Sequence, residues 1–318
     1  MAILGTAHPH LADHLRVLAG HAEVCAVHPG RYPTGTSRRL HELRDVPVVA
    51  DAALADAEFA LVCSTTAEHR ELIATAVRAG TPVLVEKPLA ATATEAAASA
   101  HLVATAGGRV AVAMFLRCAP ALRRAGEFLA EGRLGELVAG DAWFTHPGLL
   151  DGFFADAGAM WMLEPSWGGG SAFADLGVHL VDLLRWLLPE APLRVRGALL
   201  RPLPAGGPGD AGGTALVEWG TVPVALHAGW TSRSGGVRLR LEGTRGTLRV
   251  DGGHLVLAAE EGMLIEAHRP PAAGDATTAF LAGRQRTPEG RRDVERLPGP
   301  DDAVECAGVL EAIAEAAV

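Results

Sequence analysis

The stretch FALVCSTTAEHRELIATAVRAGTPVLVEKP, residues 59–88, decides the fold. Its apolar run 59–63 predicts a strand, the capping-box pattern of residues 65–68 predicts a helix start, and Gly80 predicts the helix end. A second strand at 82–85 follows at once. A strand, a helix and a strand in so short a span predict two parallel strands joined by a crossover helix.

The same alternation extends through the first third of the chain. Further strands and helices are predicted at 2–4, 11–19, 24–27, 37–43, 94–106 and 109–115. Strands and helices in this order are typical of a doubly wound parallel sheet. We therefore expect an N-terminal Rossmann domain over residues 1–117.

The rest of the chain has a different pattern. Apolar runs separated by Gly-rich turns predict strands at 193–200, 213–219, 222–230, 237–242, 247–250 and 254–258. The stretches 201–213 and 270–275 are expected to be loops, and 302–318 is expected to be a last helix that is free to pack back on the first domain. Residues 118–318 thus predict an α+β domain with a large open, mainly antiparallel sheet.

Composition narrows the class of protein. The 318 residues, 49% hydrophobic and 20% charged, suffice for about two domains. A net charge of -9 without a basic stripe argues against a nucleic-acid partner. The apolar runs are shorter than a membrane span, the N-terminus lacks a signal-peptide pattern, and four separated cysteines predict no disulfide framework. We expect a cytoplasmic protein without a membrane partner.

The first turn lies where a dinucleotide would bind. Gly5-Thr6-Ala7-His8-Pro9-His10 follows the first strand but keeps only the first glycine of G-x-G-x-x-G; Ala7 is a mild change and His10 a large one. After the second strand, the acid that usually binds the ribose is replaced by residues 28–31, HPGR. Arg31, with Arg38 and Arg39 nearby, could face a 2′-phosphate, which favours NADP slightly; a solvated face is the alternative.

Three histidines near this turn invite a metal interpretation. His8, His10 and His14 could supply imidazole ligands. No thiolate or carboxylate completes a convincing ligand set. We therefore expect no metal.

A lysine ends one of the predicted parallel strands. Glu86-Lys87-Pro88 places it at the carboxyl edge, where doubly wound sheets bind their ligands. Pro88 removes a backbone donor and imposes an extended or cis link, which can aim Lys87 into a cleft. A surface lysine at a strand end is the alternative.

A second constellation opens a predicted helix. Gly168-Gly169-Gly170 permits close backbone approach, and Asp175, His179 and Asp182 then follow at i, i+4 and i+7. A carboxylate and an imidazole one turn apart suit proton transfer. The alternative is a solvated helix face with Asp175 as a first-turn acid.

These motifs together resemble the Gfo/Idh/MocA oxidoreductase family. The resemblance extends through residues 64–69, STTAEH, similar to the family's T-P-x-x-x-H turn, and through residues 117–120, RCAP, similar to its R-x-x-P junction. It covers most of the chain to about Leu188 and the later strands more loosely.

The resemblance implies an NAD(P)-dependent enzyme that acts on a secondary alcohol or ketone of a sugar, cyclitol or related small molecule, and a homodimer or homotetramer. Lys87, Asp175 and His179 would be catalytic, with Lys87 positioning and polarising the substrate oxygen and His179 serving as acid or base. The implied cofactor contacts are Gly5, Thr6, Ala7, His10, His28, Arg31, Ser64, Thr65, His69, Glu86 and Lys87. The implied substrate contacts are Lys87, Arg117, Trp161, Trp167, Asp175 and His179.

Two other functions remain open on the same fold. The altered glycine loop favours a non-catalytic regulator that senses a cofactor or ligand. An enzyme that oxidises and re-reduces one substrate with a bound cofactor, without net redox change, is the other. Retention of Lys87 with Asp175 and His179 favours an enzyme, since a sensor needs no proton acceptor.

Overall fold

The computed structural model describes residues 1–32, 54, 56–204, 206–260, 262–284 and 297–318, which form two compact units. The first comprises Met1–Met114, Gly152–Gly170 and Ala273–Gly308, and the second Phe115–Asp151, Ser171–Ala272 and Val309–Val318. This division differs from the single boundary expected after residue 117. Two later segments of the first unit, Gly152–Gly170 and Ala273–Gly308, form hydrogen bonds with its first segment; examples are Trp161 with Ala7 and Thr277 with His14.

The first unit contains a parallel sheet wound with helices. Its first segment holds β1 (Ala2–Leu4), α1 (Leu11–Leu18), β2 (Ala26–His28), β3 (Ala60–Val62), α2 (His69–Arg78), β4 (Val83–Val85), α3 (Ala93–Thr105) and β5 (Val110–Val112). The strand order is β2-β1-β3-β4-β5, and every pairing is parallel. The expected Rossmann architecture is confirmed. The helix expected at 37–43 lies outside the described residues.

Burial explains why these short strands could be predicted. Every residue of β1, β3 and β4 is buried, because helices cover both faces of a parallel sheet. In the sheet, β2 lies on one side of β1 and β3 lies on the other, so the strand order reverses between β1 and β3. Such a reversal is a topological switch point. Ligands of such sheets bind at the carboxyl ends of the strands, where Gly5, Ser64 and Glu86 follow.

The second unit is built on a large sheet. Its elements are α4 (Pro120–Ala130), β6 (Leu137–Thr145), α6 (Ala172–Leu187), β7 (Leu193–Pro202), β8 (Asp210–Trp219), β9 (Val222–Gly229), β10 (Gly236–Gly243), β11 (Gly246–Asp251), β12 (His254–Ala259) and β13 (Gly262–Ala267). In the later segments of the chain, α5 (Phe153–Asp156) and α7 (Asp275–Arg284) belong to the first unit, and α8 (Pro300–Glu315) has residues of both. The order is β13-β12-β11-β10-β6-β9-β8-β7, antiparallel except for β6 with β9. The expected α+β class is confirmed.

Two strands were not predicted, and one loop is shorter than expected. Gly140 and Asp141 interrupt the apolar pattern of β6, which nevertheless pairs with β9 and β10. The second strand, β13, is an exposed edge strand. The loop expected at 201–213 is shorter than predicted, because β7 extends to Pro202 and β8 begins at Asp210. Gly213 lies in β8, where a Cβ would stand 2.1 Å from the Leu199 carbonyl oxygen.

The start of α6 is fixed by two side chains. Ser171 Oγ accepts the N–H of Ala174, and Asp210 Oδ1 accepts the N–H groups of Phe173 and Gly212. Asp210 thereby ties the beginning of β8 to the beginning of α6. The apolar side of α6 packs against β6, β8 and β9, so the sheet determines where the polar residues of this helix stand.

Helix length bears on membrane association. The longest helices of the described residues, α6 and α8, have 16 residues each. A transmembrane helix needs roughly 20 predominantly apolar residues. Among the described residues, no helix combines the length and the apolar character that crossing a membrane would require.

Candidate active site

The loop after β1 is held against the ends of β2 and β3. Gly5 has a φ of 82°, and a Cβ there would stand 2.3 Å from the Ser64 Cβ, so only glycine fits. Its N–H donates to the His28 carbonyl over 2.7 Å. The expected cofactor contacts Gly5, Thr6, His28 and Ser64 are therefore gathered at the carboxyl edge of the sheet.

This loop fits a dinucleotide only in part. The strand order and Gly5 provide the usual location. However, the N–H groups of Thr6 and His8 donate to the carbonyls of Pro29 (3.3 Å) and Cys63 (2.9 Å), and proline 9 has no N–H to offer. Phosphate contacts would then fall to side chains such as His10, whose side chain is 26% exposed.

Arg31 is engaged by carboxylates in this structure. Its backbone N–H donates to Glu68 Oε1, its Nε lies 3.6 Å from the same oxygen, and its Nη2 lies 3.5 Å from Glu71 Oε2. Thr65 also donates to Glu68, from Oγ1 to Oε2 over 2.8 Å, rather than capping a backbone N–H. The Arg31 side chain is 60% exposed. Arg38 and Arg39 lie outside the described residues.

The lysine at the end of β4 is buried. Lys87 is only 2% exposed, so the alternative of a surface lysine is wrong. The Lys87-Pro88 peptide is cis, and the Lys87 N–H donates to Glu86 Oε2 over 3.0 Å. His69 Nδ1 contacts the carbonyls of Pro88 (3.0 Å) and Leu89 (3.3 Å). Burial lowers the pKa of His69, so a neutral imidazole donates to the turn that carries Lys87.

Glu86 lies within a cluster of histidines. His14 Nε2 stands 2.7 Å and His10 Nδ1 3.0 Å from Glu86 Oε1, while His8 Nε2 stands 3.6 Å from Oε2. Burial would raise the pKa of Glu86, but His8 and His10, with hydrogen bonds from His10 and His14, hold that pKa well below its ordinary value. The expectation that no carboxylate completes the histidine set is therefore wrong, because the fold supplies Glu86 from the end of β4.

The two tryptophans expected to contact substrate lie in the first unit. Trp161 is buried, donates from Nε1 to the Ala7 carbonyl over 3.1 Å, and has its ring centre 5.9 Å from that of His8. Trp167 meets Tyr32 edge to face at 5.2 Å. These contacts support packing roles for both rings. A substrate contact by either stays a prediction.

The glycines before α6 are explained by packing of the chain on itself. A Cβ at Gly169 would stand 2.4 Å from the Trp161 carbonyl oxygen, and one at Gly168 2.7 Å from the Thr66 Cβ. Gly168 and Gly170 also have positive φ angles of 80° and 92°. The close backbone approach that these glycines predict is thus to neighbouring segments of the first unit.

In the second unit, Asp175 and His179 are buried on α6. The alternative of a solvated helix face is therefore wrong. Trp230 Nε1 donates to Asp175 Oδ2 over 2.9 Å, which fixes the carboxylate. The His179 ring packs edge to face against Phe115 at 4.7 Å and is tilted against Phe144 at 5.4 Å. A carboxylate and an imidazole are thus held one helical turn apart in a largely apolar environment.

Asp182, one turn further along α6, pairs with Arg117. Arg117 donates from Nε to Oδ2 over 2.8 Å and from Nη2 to Oδ1 over 2.6 Å, in a buried two-pronged contact. The geometry supports a structural role for Arg117 as the anchor of α6. Its expected substrate contact stays a prediction.

We expect Asp182→Ala to lower the free energy of unfolding by about 3–5 kcal/mol, because it leaves the buried Arg117 guanidinium without its carboxylate. Urea titration followed by circular dichroism measures the change. The double variant Arg117→Met/Asp182→Leu is the control and should lose less, since both charges are removed. An Asp182→Ala variant as stable as the wild type would contradict the pairing.

Two family models match this chain. The model described as "Oxidoreductase family, NAD-binding Rossmann fold" matches residues 17–114, and the "GFO/IDH/MocA C-terminal domain" matches residues 122–249. The chain belongs to the Gfo/Idh/MocA oxidoreductase family. The resemblance read from Lys87 and from the motif around Asp175 and His179 is therefore confirmed at the level of the family.

Family relatives align over part of the chain. A 1,5-anhydro-D-fructose reductase of Ensifer adhaerens is 34% identical over 139 residues, which are 43% of this chain and 39% of that protein. An inositol 2-dehydrogenase 2 of Saccharopolyspora erythraea is 31% identical over 191 residues, 56% of this chain and 51% of that protein. The chain thus matches only about two fifths to one half of these relatives' lengths.

Solved structures extend the similarity to the whole fold. An inositol dehydrogenase homolog of Azotobacter vinelandii, complexed with NAD⁺, superposes with a TM-score of 0.80 and covers 99% of this chain and 94% of that one. Sequence identity is 17%, so this likeness concerns the Gfo/Idh/MocA fold alone.

Sequence reasoning missed the partners of the family's motif residues. Trp230 lies 55 residues from Asp175, and Asp182 lies 65 residues from Arg117. No local pattern connects residues at such separations.

The sequence also contained a sign of the importance of Lys87 that its motif alone does not give. Lys87 is the only lysine in a chain with 28 lysine and arginine residues in total.

Proposed function

We propose that this member of the Gfo/Idh/MocA family transfers a hydride between NAD(P) and a secondary alcohol or ketone of a sugar, cyclitol or related small molecule. The family descriptions and the names of the relatives support the chemical class. The substrate class is an extension from those relatives. Dimers or tetramers, a cytoplasmic location and the lack of a nucleic-acid partner complete the proposal.

One observation carries the proposal: the only lysine of the chain is buried at the carboxyl end of β4. Arginine provides every other strongly basic side chain, including all those at the surface. The arginine guanidinium does not lose its proton in proteins and is large and planar, whereas the amino group of lysine is compact and can lose and regain a proton. A single lysine at the ligand edge of the sheet therefore indicates a chemical need for a primary amine.

Three residues divide the chemistry in this proposal. The nicotinamide, when bound, supplies the hydride acceptor or donor. Lys87 binds the reacting oxygen and stabilises its developing negative charge. His179 takes the hydroxyl proton during oxidation and returns it during reduction. Asp175, fixed by Trp230, orients the imidazole or binds a neighbouring hydroxyl of the substrate. The joint action of the three rests on the family resemblance.

The loop after β1 favours a second candidate function, a regulator that binds a ligand without catalysis. Its N–H groups at Thr6 and His8 already donate to the chain, and proline 9 offers none. Such a loop contributes less to binding of a pyrophosphate than an open one. A redox-neutral enzyme with a firmly bound cofactor is the third candidate, since the same catalytic residues would serve it.

Binding of the cofactor tests the proposed function first. Tryptophan fluorescence of the purified protein is followed during titration with NADH and NADPH, after measurement of any cofactor retained from expression. Saturable quenching, or a retained cofactor, followed by turnover with a sugar or cyclitol supports the enzyme. Binding without turnover over a broad substrate panel would support the regulator. No binding of oxidised or reduced forms would overturn the proposal of hydride transfer.

NADP is the slightly preferred cofactor in this proposal, and Arg31 would bind its 2′-phosphate. We expect Arg31→Ala to weaken NADPH binding about tenfold and to leave NADH binding nearly unchanged, because only NADPH carries the 2′-phosphate that the guanidinium would bind. Glu71→Gln, which removes a competing carboxylate, should strengthen NADPH binding. Equal losses for both cofactors in Arg31→Ala would contradict the assignment.

A further inference from the structure

The cluster of His8, His10, His14 and Glu86 brings together side chains from three segments of the first unit. His8 and His10 lie in the loop after β1, His14 lies in α1, and Glu86 follows β4. All but His10 are fully buried. Three imidazoles thus surround one carboxylate, although a single protonated histidine would neutralise its charge.

The donor atoms match those that zinc prefers. Two imidazole nitrogens and one carboxylate oxygen form one of the established zinc ligand sets, with a fourth position left for water or substrate. One such atom from each of His8, His10 and Glu86 can be chosen so that all lie within 4.8 Å of one another. The fold therefore brings together a complete set of three protein ligands, which residues near one another in the sequence do not provide.

Two of the separations between the three ligand residues are close to those of a tetrahedral site. Bonds of about 2.0–2.1 Å at tetrahedral angles place ligand atoms about 3.4 Å apart. Glu86 Oε2 stands 3.6 Å from His8 Nε2, and Glu86 Oε1 stands 3.0 Å from His10 Nδ1. All three ligand atoms lie within 4.8 Å of one another, so the ligands would draw together on binding an ion. The side chain of His10 is 26% exposed, which gives a cation a route from solvent.

Outer contacts already orient the carboxylate. His14 bridges Glu86 Oε1 (2.7 Å) and Thr277 Oγ1 (2.6 Å), and the Lys87 N–H donates to Oε2. Partners of this kind fix ligand orientation in metal sites. One contact must be given up: His8 Nδ1 accepts the His10 N–H over 3.2 Å, and zinc at Nε2 moves the ring proton to Nδ1.

We propose that His8, His10 and Glu86 bind a zinc ion, with His14 as the residue that orients Glu86. The ion would neutralise Glu86 and place a positive charge in the loop after β1, where the N–H groups of Thr6 and His8 already donate to backbone carbonyls. His10 and Glu86 are also expected cofactor contacts, but the test of the zinc site involves no nicotinamide, so its failure is distinguishable from failure of the proposed hydride transfer.

The experiment titrates zinc chloride alone into tag-free protein that has been stripped with a chelator, using calorimetry and elemental analysis of the desalted product. We expect one tightly bound zinc per chain. His10→Ala should weaken binding at least tenfold, His14→Ala about 10- to 100-fold through loss of orientation, and His8→Ala/His10→Ala should abolish it. His21→Ala and His101→Ala, at exposed histidines, are matched controls and should bind as the wild type does.

A second measurement separates metal binding from structural damage. Zinc should raise the Tm of the wild type and of His21→Ala, but not that of His10→Ala, because a ligand that binds only the folded state stabilises it. His10→Asn serves where His10→Ala fails to fold. Wild-type protein that holds no more zinc than His8→Ala/His10→Ala, or a His10 variant that binds zinc as tightly as the wild type, would overturn the proposal.

Discussion

Lys87→Met is expected to lower kcat about 100- to 1,000-fold, the usual cost of removing a group that stabilises a developing oxyanion. Methionine keeps the length and the apolar stem of the buried side chain and removes only the ammonium group. The rate of NAD(P)H formation or consumption measures the effect, with a sugar or cyclitol that the wild type turns over. The substrate KM should rise as well, because the same group binds the reacting oxygen in the ground state.

Two comparisons make this prediction specific to the lysine. Arg16→Met removes a positive charge from an exposed helix face of the same unit and should leave kcat unchanged. Lys87→Arg restores the charge with a different shape and should remain impaired. A Lys87→Met variant that retains more than a third of wild-type turnover would rule out the role assigned to the ammonium group.

The uniqueness of Lys87 also permits a direct probe. Biosynthetic incorporation of ¹³C-labelled lysine labels only Lys87, since the chain has no other lysine. The Lys87 Cε resonance can be assigned by its absence from Lys87→Met. We expect this resonance to shift when substrate binds, and a resonance indifferent to every active substrate would place Lys87 away from the reacting atoms.

Much of the fold could be predicted because buried strands appear in the sequence as local runs of apolar residues. The strands β1, β3 and β4 are continuous apolar runs covered on both faces, and Gly80 closes the helix that precedes β4. The strand β6 has no such continuous apolar run, since glycine and aspartate interrupt it; its pairing with β9 and β10 and the packing of α6 on it come from distant parts of the sequence.

The candidate site was predictable at its motif residues and not at their partners. Lys87, Asp175 and His179 stand in recognisable patterns. The contacts of Glu86 with His14, and of Asp175 with Trp230, join residues 72 and 55 positions apart. The sequence alone did not place a carboxylate beside the three histidines, because only the order β1-β3-β4 in the sheet brings Glu86 to them.

His179→Asn is expected to lower kcat about 100- to 10,000-fold, the contribution of a positioned general acid or base. Asparagine fills part of the space between Phe115 and Phe144 and cannot accept the hydroxyl proton at neutral pH. Alcohol oxidation by the wild type should accelerate as the imidazole loses its proton, because only the neutral ring is a base. The variant should lack that limb of the pH profile.

Trp230→Phe separates proton transfer from mere packing around His179. It keeps the buried aromatic bulk and removes only the N–H that holds Asp175 Oδ2, so we expect about a tenfold loss in kcat with the pH limb retained. A His179→Asn variant with the wild-type pH profile would show that another group moves the proton. A Trp230→Phe variant that loses the limb as well would instead show that Asp175 controls protonation of the imidazole, and that helix α6 carries a coupled pair rather than a single base.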